Sequence, residues 1–198
     1  MLNKLLNYNW QKQLSVRITL LGKGMVGKSS LTYRFINYNA PEEHDPTIED
    51  KFMTVLDLDG KSVTCNVLDT AGQDDYQGLI DSWIDGGDGF LLVFALNDKD
   101  SFIDLDKKKS KIDMVKKKKN YPLILVGNKS DLSDRAVSKK EAEDKAKLWN
   151  AAYFETSAKN DENCHSPFIE CTKRLIYNDV AINKNIPQES SCCSCIIY

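Results

Sequence analysis

Apolar residues along this chain fall into two kinds of pattern that alternate. Short unbroken runs, Ser15 to Leu21, Val63 to Leu68 and Tyr121 to Gly127, have the length and apolar, β-branched character of buried strands. Between them lie stretches with helical spacing, such as Leu31, Phe35 and Ile36 within residues 29–36, and Phe102, Leu105, Ile112 and Val115 further on. The alternation predicts an α/β fold, a doubly wound and mostly parallel sheet with helices on both faces. One exception stands out. Phe52 to Leu58 and Ser62 to Leu68 flank Asp59-Gly60, a pair whose turn chemistry predicts an antiparallel hairpin and hence one antiparallel strand.

Composition narrows the class. With 198 residues, 41% of them hydrophobic, and a net charge of −2, the chain can bury one substantial core and has the profile neither of a disordered segment nor of a nucleic-acid binder. No apolar run approaches the roughly 18 residues needed to cross a bilayer. Residues 1–15 lack the continuous apolar stretch of a signal peptide. Leu2, Leu6, Trp10 and Leu14 recur every four residues, yet a frayed extension is the favoured reading over a short amphipathic helix. Six cysteines with a single CxxC spacing, Cys192 to Cys195, and no second such pair or paired histidine spacing argue against zinc and fit a reducing compartment. There is no internal repeat and no second domain.

Chemistry concentrates at the ends of the apolar runs. Gly22, Lys23, Gly24, Met25, Val26, Gly27, Lys28 and Ser29, followed by Ser30, fit GxxxxGK[ST] between a strand and a helix. Such a loop turns backbone N–H groups inward around phosphates at dihedral angles that side chains resist, and the helix N-terminus adds its dipole. Lys28 would reach the β and γ phosphates, and the Ser29 hydroxyl would ligate Mg2+. Asp69 ends the second run and is followed by Gly72, so a carboxylate able to hold a water of the Mg2+ shell stands where ligands of open α/β sheets sit. After the third run come Asn128, Lys129 and Asp131. An aspartate can accept from both N1–H and the 2-amino group of guanine, and adenine would leave that carboxylate unpaired. Asp131 therefore argues for GTP over ATP. Ser157, Ala158 and Lys159, in a later ETSAK, would supply a backbone N–H near Ala158 for the guanine carbonyl.

Taken together, these motifs make the chain resemble the Ras-family small GTPases, Ras/Rap-like in pattern, without a gap from about Val16 to Ile176. The resemblance implies a six-stranded small G-protein fold over residues 16–180, preceded by an extension at 1–15 and followed by a variable tail at 181–198. It implies a GTP hydrolase that uses GTP/GDP and Mg2+ and works with exchange factors and GTPase-activating proteins. His44, Asp45, Pro46, Thr47, Ile48, Glu49 and Asp50 match the effector loop, with Thr47 as a metal ligand alongside Ser29 and Asp69. Gln73 matches the glutamine that orients the attacking water. Gly24 matches the glycine whose missing side chain leaves room for Gln73 and for an arginine finger.

Two positions depart from the family. His44 stands in place of a tyrosine over the phosphates and reads as a surface residue rather than a catalyst. Ala40 stands in place of a phenylalanine stacked on the guanine; such stacking is worth about 1–3 kcal/mol. Its loss supports an alternative reading, a fast-exchanging, largely GTP-loaded binding module with little intrinsic hydrolysis. Retention of Gly24 and Gln73 favours the regulated GTPase.

Eight lysines crowd the thirteen residues from Lys107 to Lys119. The helical stripe through them predicts a solvated lysine face, with docking onto an anionic membrane or acidic partner as the second reading. The final residues, Cys195-Ile-Ile-Tyr, match a CaaX prenylation box, although Tyr198 is not one of the usual last residues. One lipid anchors only marginally, so Cys192 and Cys193 are expected to be palmitoylated as the second signal. The expected location is the cytoplasmic face of a membrane, with the plasma membrane as first candidate.

Overall fold

Every predicted strand that can be followed feeds one sheet. A computed structural model describes residues 14–36, 48–72, 77–117 and 120–183, with the backbone alone at 77 and 178–183. The strands are β1 Leu14–Leu21, β2 Glu49–Leu58, β3 Lys61–Thr70, β4 Gly89–Ala95, β5 Leu123–Asn128 and β6 Ala152–Glu155. They lie in the order β2-β3-β1-β4-β5-β6. The helices are α1 Lys28–Phe35, α2 Gln77–Gly86, α3 Lys99–Val115, α4 Lys139–Leu148 and α5 Ser166–Asn183. β2 pairs antiparallel with β3, and the other four pairings are parallel. The hairpin turns as its sequence predicts: Asp59 and Gly60 take φ of 54° and 76°, and the Gly60 N–H donates to the Asp57 carboxylate at 3.0 Å.

Alternation of side chains along the central strands builds two cores. β4 is buried throughout; its Leu91, Val93 and Ala95 face one layer while Phe90, Leu92 and Phe94 face the other. The first layer receives Leu31 and Phe35 of α1 and Phe168, Cys171 and Ile176 of α5. The second receives Ile84 of α2, Phe102, Leu105 and Ile112 of α3, and Ala142 and Ala146 of α4. Free thiols at Cys65, Cys164 and Cys171 are buried, and that burial pushes each of them up from the ordinary thiol range.

Two sequence readings change. The third strand starts at Leu123, not Tyr121: the Tyr121 hydroxyl instead donates to Asp113 on α3 at 2.6 Å, which takes this residue off the strand path. The described part of the lysine run is not simply a solvated face. Lys109 pairs with Asp113 and Lys111 with Asp81 of α2, each at 2.6 Å, while Lys108 pairs with Asp104 at 3.6 Å. Lys116 donates to the Asp85 carbonyl of α2 at 2.9 Å. Lys107 and Lys117 are exposed, and Lys118 and Lys119 lie outside the described residues.

Candidate functional site

All the motif segments that the structure describes gather at one edge of the sheet, where β1, β3, β5 and β6 end at their C-termini. This is where loops leave a parallel sheet and where such folds bind ligands. The glycine loop joins β1 to α1 with Gly27 at φ 92° and Met25 at φ 64°. A Cβ on Gly22 would stand 2.1 Å from the Val93 carbonyl oxygen, and one on Gly72 would stand 2.2 Å from the Gly24 nitrogen. Among the described residues, a Cβ on Gly24 would meet nothing within 4 Å. The Gly24 N–H donates to the Gly72 carbonyl at 3.1 Å, so the loop after β1 and the loop after β3 are fastened together.

Lys28 opens α1 almost entirely buried, and its Nζ donates to the carbonyls of Gly22 at 3.1 Å and Lys23 at 3.0 Å. The ammonium thus lies under the loop it belongs to. Burial pushes its pKa down to about 8, against the opposing pull of the Asp69 carboxylate, which is itself fully buried. Ser29 and Ser30 follow, half-buried, in the first turn of α1. Val26 is buried against the first core. Lys23 and Met25 are exposed.

At the other end of the site Asn128 acts as a clamp. Its Nδ2 donates to the Val26 carbonyl at 2.9 Å, while its Oδ1 accepts from the Thr156 hydroxyl at 3.1 Å and from the Ala158 N–H at 3.3 Å. One buried side chain therefore ties the glycine loop, β5 and the loop after β6. The Ala158 N–H, expected to face a guanine carbonyl, is here engaged by Asn128. Asp131 accepts from the Ser157 hydroxyl at 2.6 Å. That bond first, then a backbone N–H, then the charges of Lys159 and Lys129, hold the Asp131 carboxyl below the usual range against the opposing effect of burial. Lys129 sits between them at φ 66°, a conformation that side chains rarely adopt. Gly27, Ser30, Asn128, Lys129, Asp131 and Ala158 border a cleft of about 360 Å3.

Several residues here escaped the sequence reading. Arg34 on α1 donates to the carbonyls of Ala158 at 2.8 Å and Lys159 at 3.2 Å, bracing the far wall of the cleft. Its position one helical turn beyond Ser30 was the available signal. Trp83 of α2 donates from Nε1 to Glu49 at 2.6 Å, and no local pattern joins two residues so far apart. Of the expected effector loop, Ile48, Glu49 and Asp50 are described: the Ile48 carbonyl accepts from Ala71 at 2.9 Å, and Asp50 lies opposite Asp69 in the β2–β3 register. His44, Asp45, Pro46, Thr47 and Gln73 lie outside the described residues, as do Ala40, Cys192, Cys193 and Cys195. A larger cleft of about 550 Å3, bordered by Arg17, Glu49, Trp83 and Asp88, opens beside the β1–β3 surface away from the glycine loop.

The donor set fits a nucleotide with a hard divalent cation. Glycine positions whose Cβ atoms would strike backbone leave a cradle that only a bare main chain can line. The buried Asp69 carboxylate and the Ser29 hydroxyl are oxygen donors of the kind that Mg2+ takes. A model of the Ras family matches residues 17–177 of the chain.

Proposed function

The chain belongs to the Ras family, and from that premise we propose that it is a lipid-anchored GDP/GTP switch that hydrolyses GTP and engages effectors through residues 44–50 in its GTP state. The observation that carries this reading is the fastening of four separate motifs into one edge by three links: Gly24 to Gly72, Asn128 to Val26, and Asp131 held by Ser157.

Within the site, Asp131 accepts from the guanine edge, kept ionised and oriented by Ser157. The N–H groups of residues 22–29 and the Lys28 ammonium surround the β and γ phosphates; for this Lys28 exchanges its two carbonyl partners for phosphate oxygens. Ser29, Thr47 and, through water, Asp69 would hold Mg2+, which when bound draws charge from the phosphates. Gln73 orients the water whose oxygen bonds to the γ phosphorus as the bond to the bridging oxygen breaks, leaving GDP and inorganic phosphate. Prenylation at Cys195, with palmitoylation at Cys192 and Cys193, places the switch on the cytoplasmic face of a membrane, the plasma membrane first.

Single-turnover hydrolysis of GTP, with and without a Ras-type activating protein, tests the proposal. Gln73→Leu is expected to reduce hydrolysis nearly to nothing and to leave GTP binding intact, because the side chain places water rather than holding ligand. Equal rates for wild type and variant would remove the catalytic assignment and favour the binding-module reading.

A further inference from the structure

Ala158 is held from both sides. Its N–H donates to the Asn128 side chain at 3.3 Å, and its carbonyl accepts from Nε of Arg34 at 2.8 Å. The same guanidinium donates from Nη2 to the Lys159 carbonyl at 3.2 Å, so two successive carbonyls meet one rigid fork. Arg34 lies in the last turn of α1, 124 residues before Ala158, and that helix begins at Lys28. Leu31 and Phe35 anchor the helix in the first core, where Phe35 stacks on Phe168. The phosphate end and the base end of the site are therefore spaced by a single, firmly packed element.

The segment that carries Ala158 closes on itself. The Ser157 N–H donates to the Glu162 carbonyl at 3.0 Å, and the Glu162 N–H returns to the Ser157 carbonyl at 2.9 Å. Those bonds shape the loop without setting its distance from α1, which the two guanidinium bonds do. A guanine carbonyl that takes the Ala158 N–H displaces the Asn128 oxygen, which keeps the Thr156 hydroxyl at 3.1 Å as a partner. The Arg34 bond is made to the other peptide group of Ala158 and is not given up. It is also the shorter of the two ties and the one with a charged donor, hence the stronger.

We propose that Arg34 is a positioning residue for base recognition: by gripping the carbonyls of Ala158 and Lys159 it sets the Ala158 N–H where the guanine carbonyl must arrive when the phosphates rest on the N-terminus of the same helix. The inference rests on the guanine-nucleotide reading of the site given above. Asp131 and Arg34 border the same cleft and divide the base between them. Asp131 accepts from N1–H and the 2-amino group, and Arg34, through Ala158, governs the reading of the carbonyl.

The affinities of GDP and of its thioguanine analogue, in which sulfur, a poor acceptor, replaces the carbonyl oxygen of the base, test it when measured for the full chain and two variants. Wild type is expected to prefer GDP. Arg34→Met keeps much of the stem and removes the fork; it is expected to weaken GDP roughly five- to twentyfold, with the thio analogue changed less than about twofold. Arg34→Lys keeps the charge without the fork and should recover only part of the preference. Equal weakening of both nucleotides would mean that Arg34 merely supports the fold and would overturn the proposal. So would no change in either, or full recovery by lysine, which would assign the effect to charge. A wild type that binds both nucleotides alike would overturn it as well, because Ala158 would then not be reading the carbonyl. A wild type that binds neither would instead overturn the reading of the site.

Discussion

Gly22 and Gly24 belong to one loop yet answer to different constraints. A side chain at Gly22 would run into the backbone of β4, whereas one at Gly24 would meet none of the described residues. Gly22→Ala is therefore expected to cost about 1–3 kcal/mol through overpacking, visible as a lower thermal unfolding midpoint. Gly24→Val should unfold at the wild-type temperature and lose hydrolysis stimulated by an activating protein, because its new side chain occupies space and not structure. A melting-temperature drop in Gly24→Val equal to that of Gly22→Ala would show that both glycines serve the fold alone. Asn128 illustrates the converse: a residue read from sequence as part of base recognition is also the bolt that joins β5 to the glycine loop.

At the level of elements, capping and charge fix the ends of α3 and α4. Asp98 accepts from the Ser101 N–H at 3.1 Å to start α3. Ser138 and Glu141 form a reciprocal capping box at the start of α4, with Glu141 also paired to Lys99 across the helix interface. The Lys99 ion pair first, then the Ser138 backbone and side chain, pull the Glu141 carboxyl down to about 2 from its ordinary 4.5. A carboxyl depressed in the folded state contributes stability that is present above 4.5 and lost as pH falls through about 2. Glu141→Gln should accordingly unfold more easily than wild type near neutral pH, and denaturant titrations should show the difference closing between those two values. A gap that persists at pH 2 would mean that packing and not ionisation is responsible. The lysines of α3 follow the same logic, since Asp81, Asp104 and Asp113 convert what looks like an exposed basic run into ties within α3 and to α2.

For the molecule as a whole, α1 and α5 are joined across one face of the sheet by the stacked rings of Phe35 and Phe168, 4.0 Å apart and 6° from parallel. Phe168 is fully buried, so Phe168→Ala should cost about 3–5 kcal/mol in chemical unfolding. Because α1 begins at Lys28, nucleotide affinity should fall with it; unchanged affinity would show that the loop holds its shape independently of the core. Beyond α5 the proposed anchor gives a different readout. Cys195→Ser is expected to shift the protein from the membrane to the soluble fraction, whereas replacing Cys192 and Cys193 together should leave weak, reversible attachment. A Cys195→Ser protein still sedimenting with membranes would contradict prenylation.

The sheet, the Asp59-Gly60 hairpin, the buried stripe of α3 and the strand-loop-helix frame of the glycine loop were legible in the chain itself. Each depends on periodicity or backbone preference within about ten to fifteen contiguous residues, the range over which sequence pattern and local structure are coupled. Family resemblance extended that to residues 37–47 and 73–76, which carry Thr47 and Gln73. What only the tertiary structure decided are meetings between distant segments: Gly24 with Gly72, Trp83 with Glu49, Arg34 with the Ala158 carbonyl, and Lys111 with Asp81. Those meetings depend on which faces of the helices pack against the sheet and in what register, and register is settled by the whole core at once. For that reason a lysine run that reads locally as solvated surface becomes, once α2 is laid alongside α3, a set of ties within α3 and to α2.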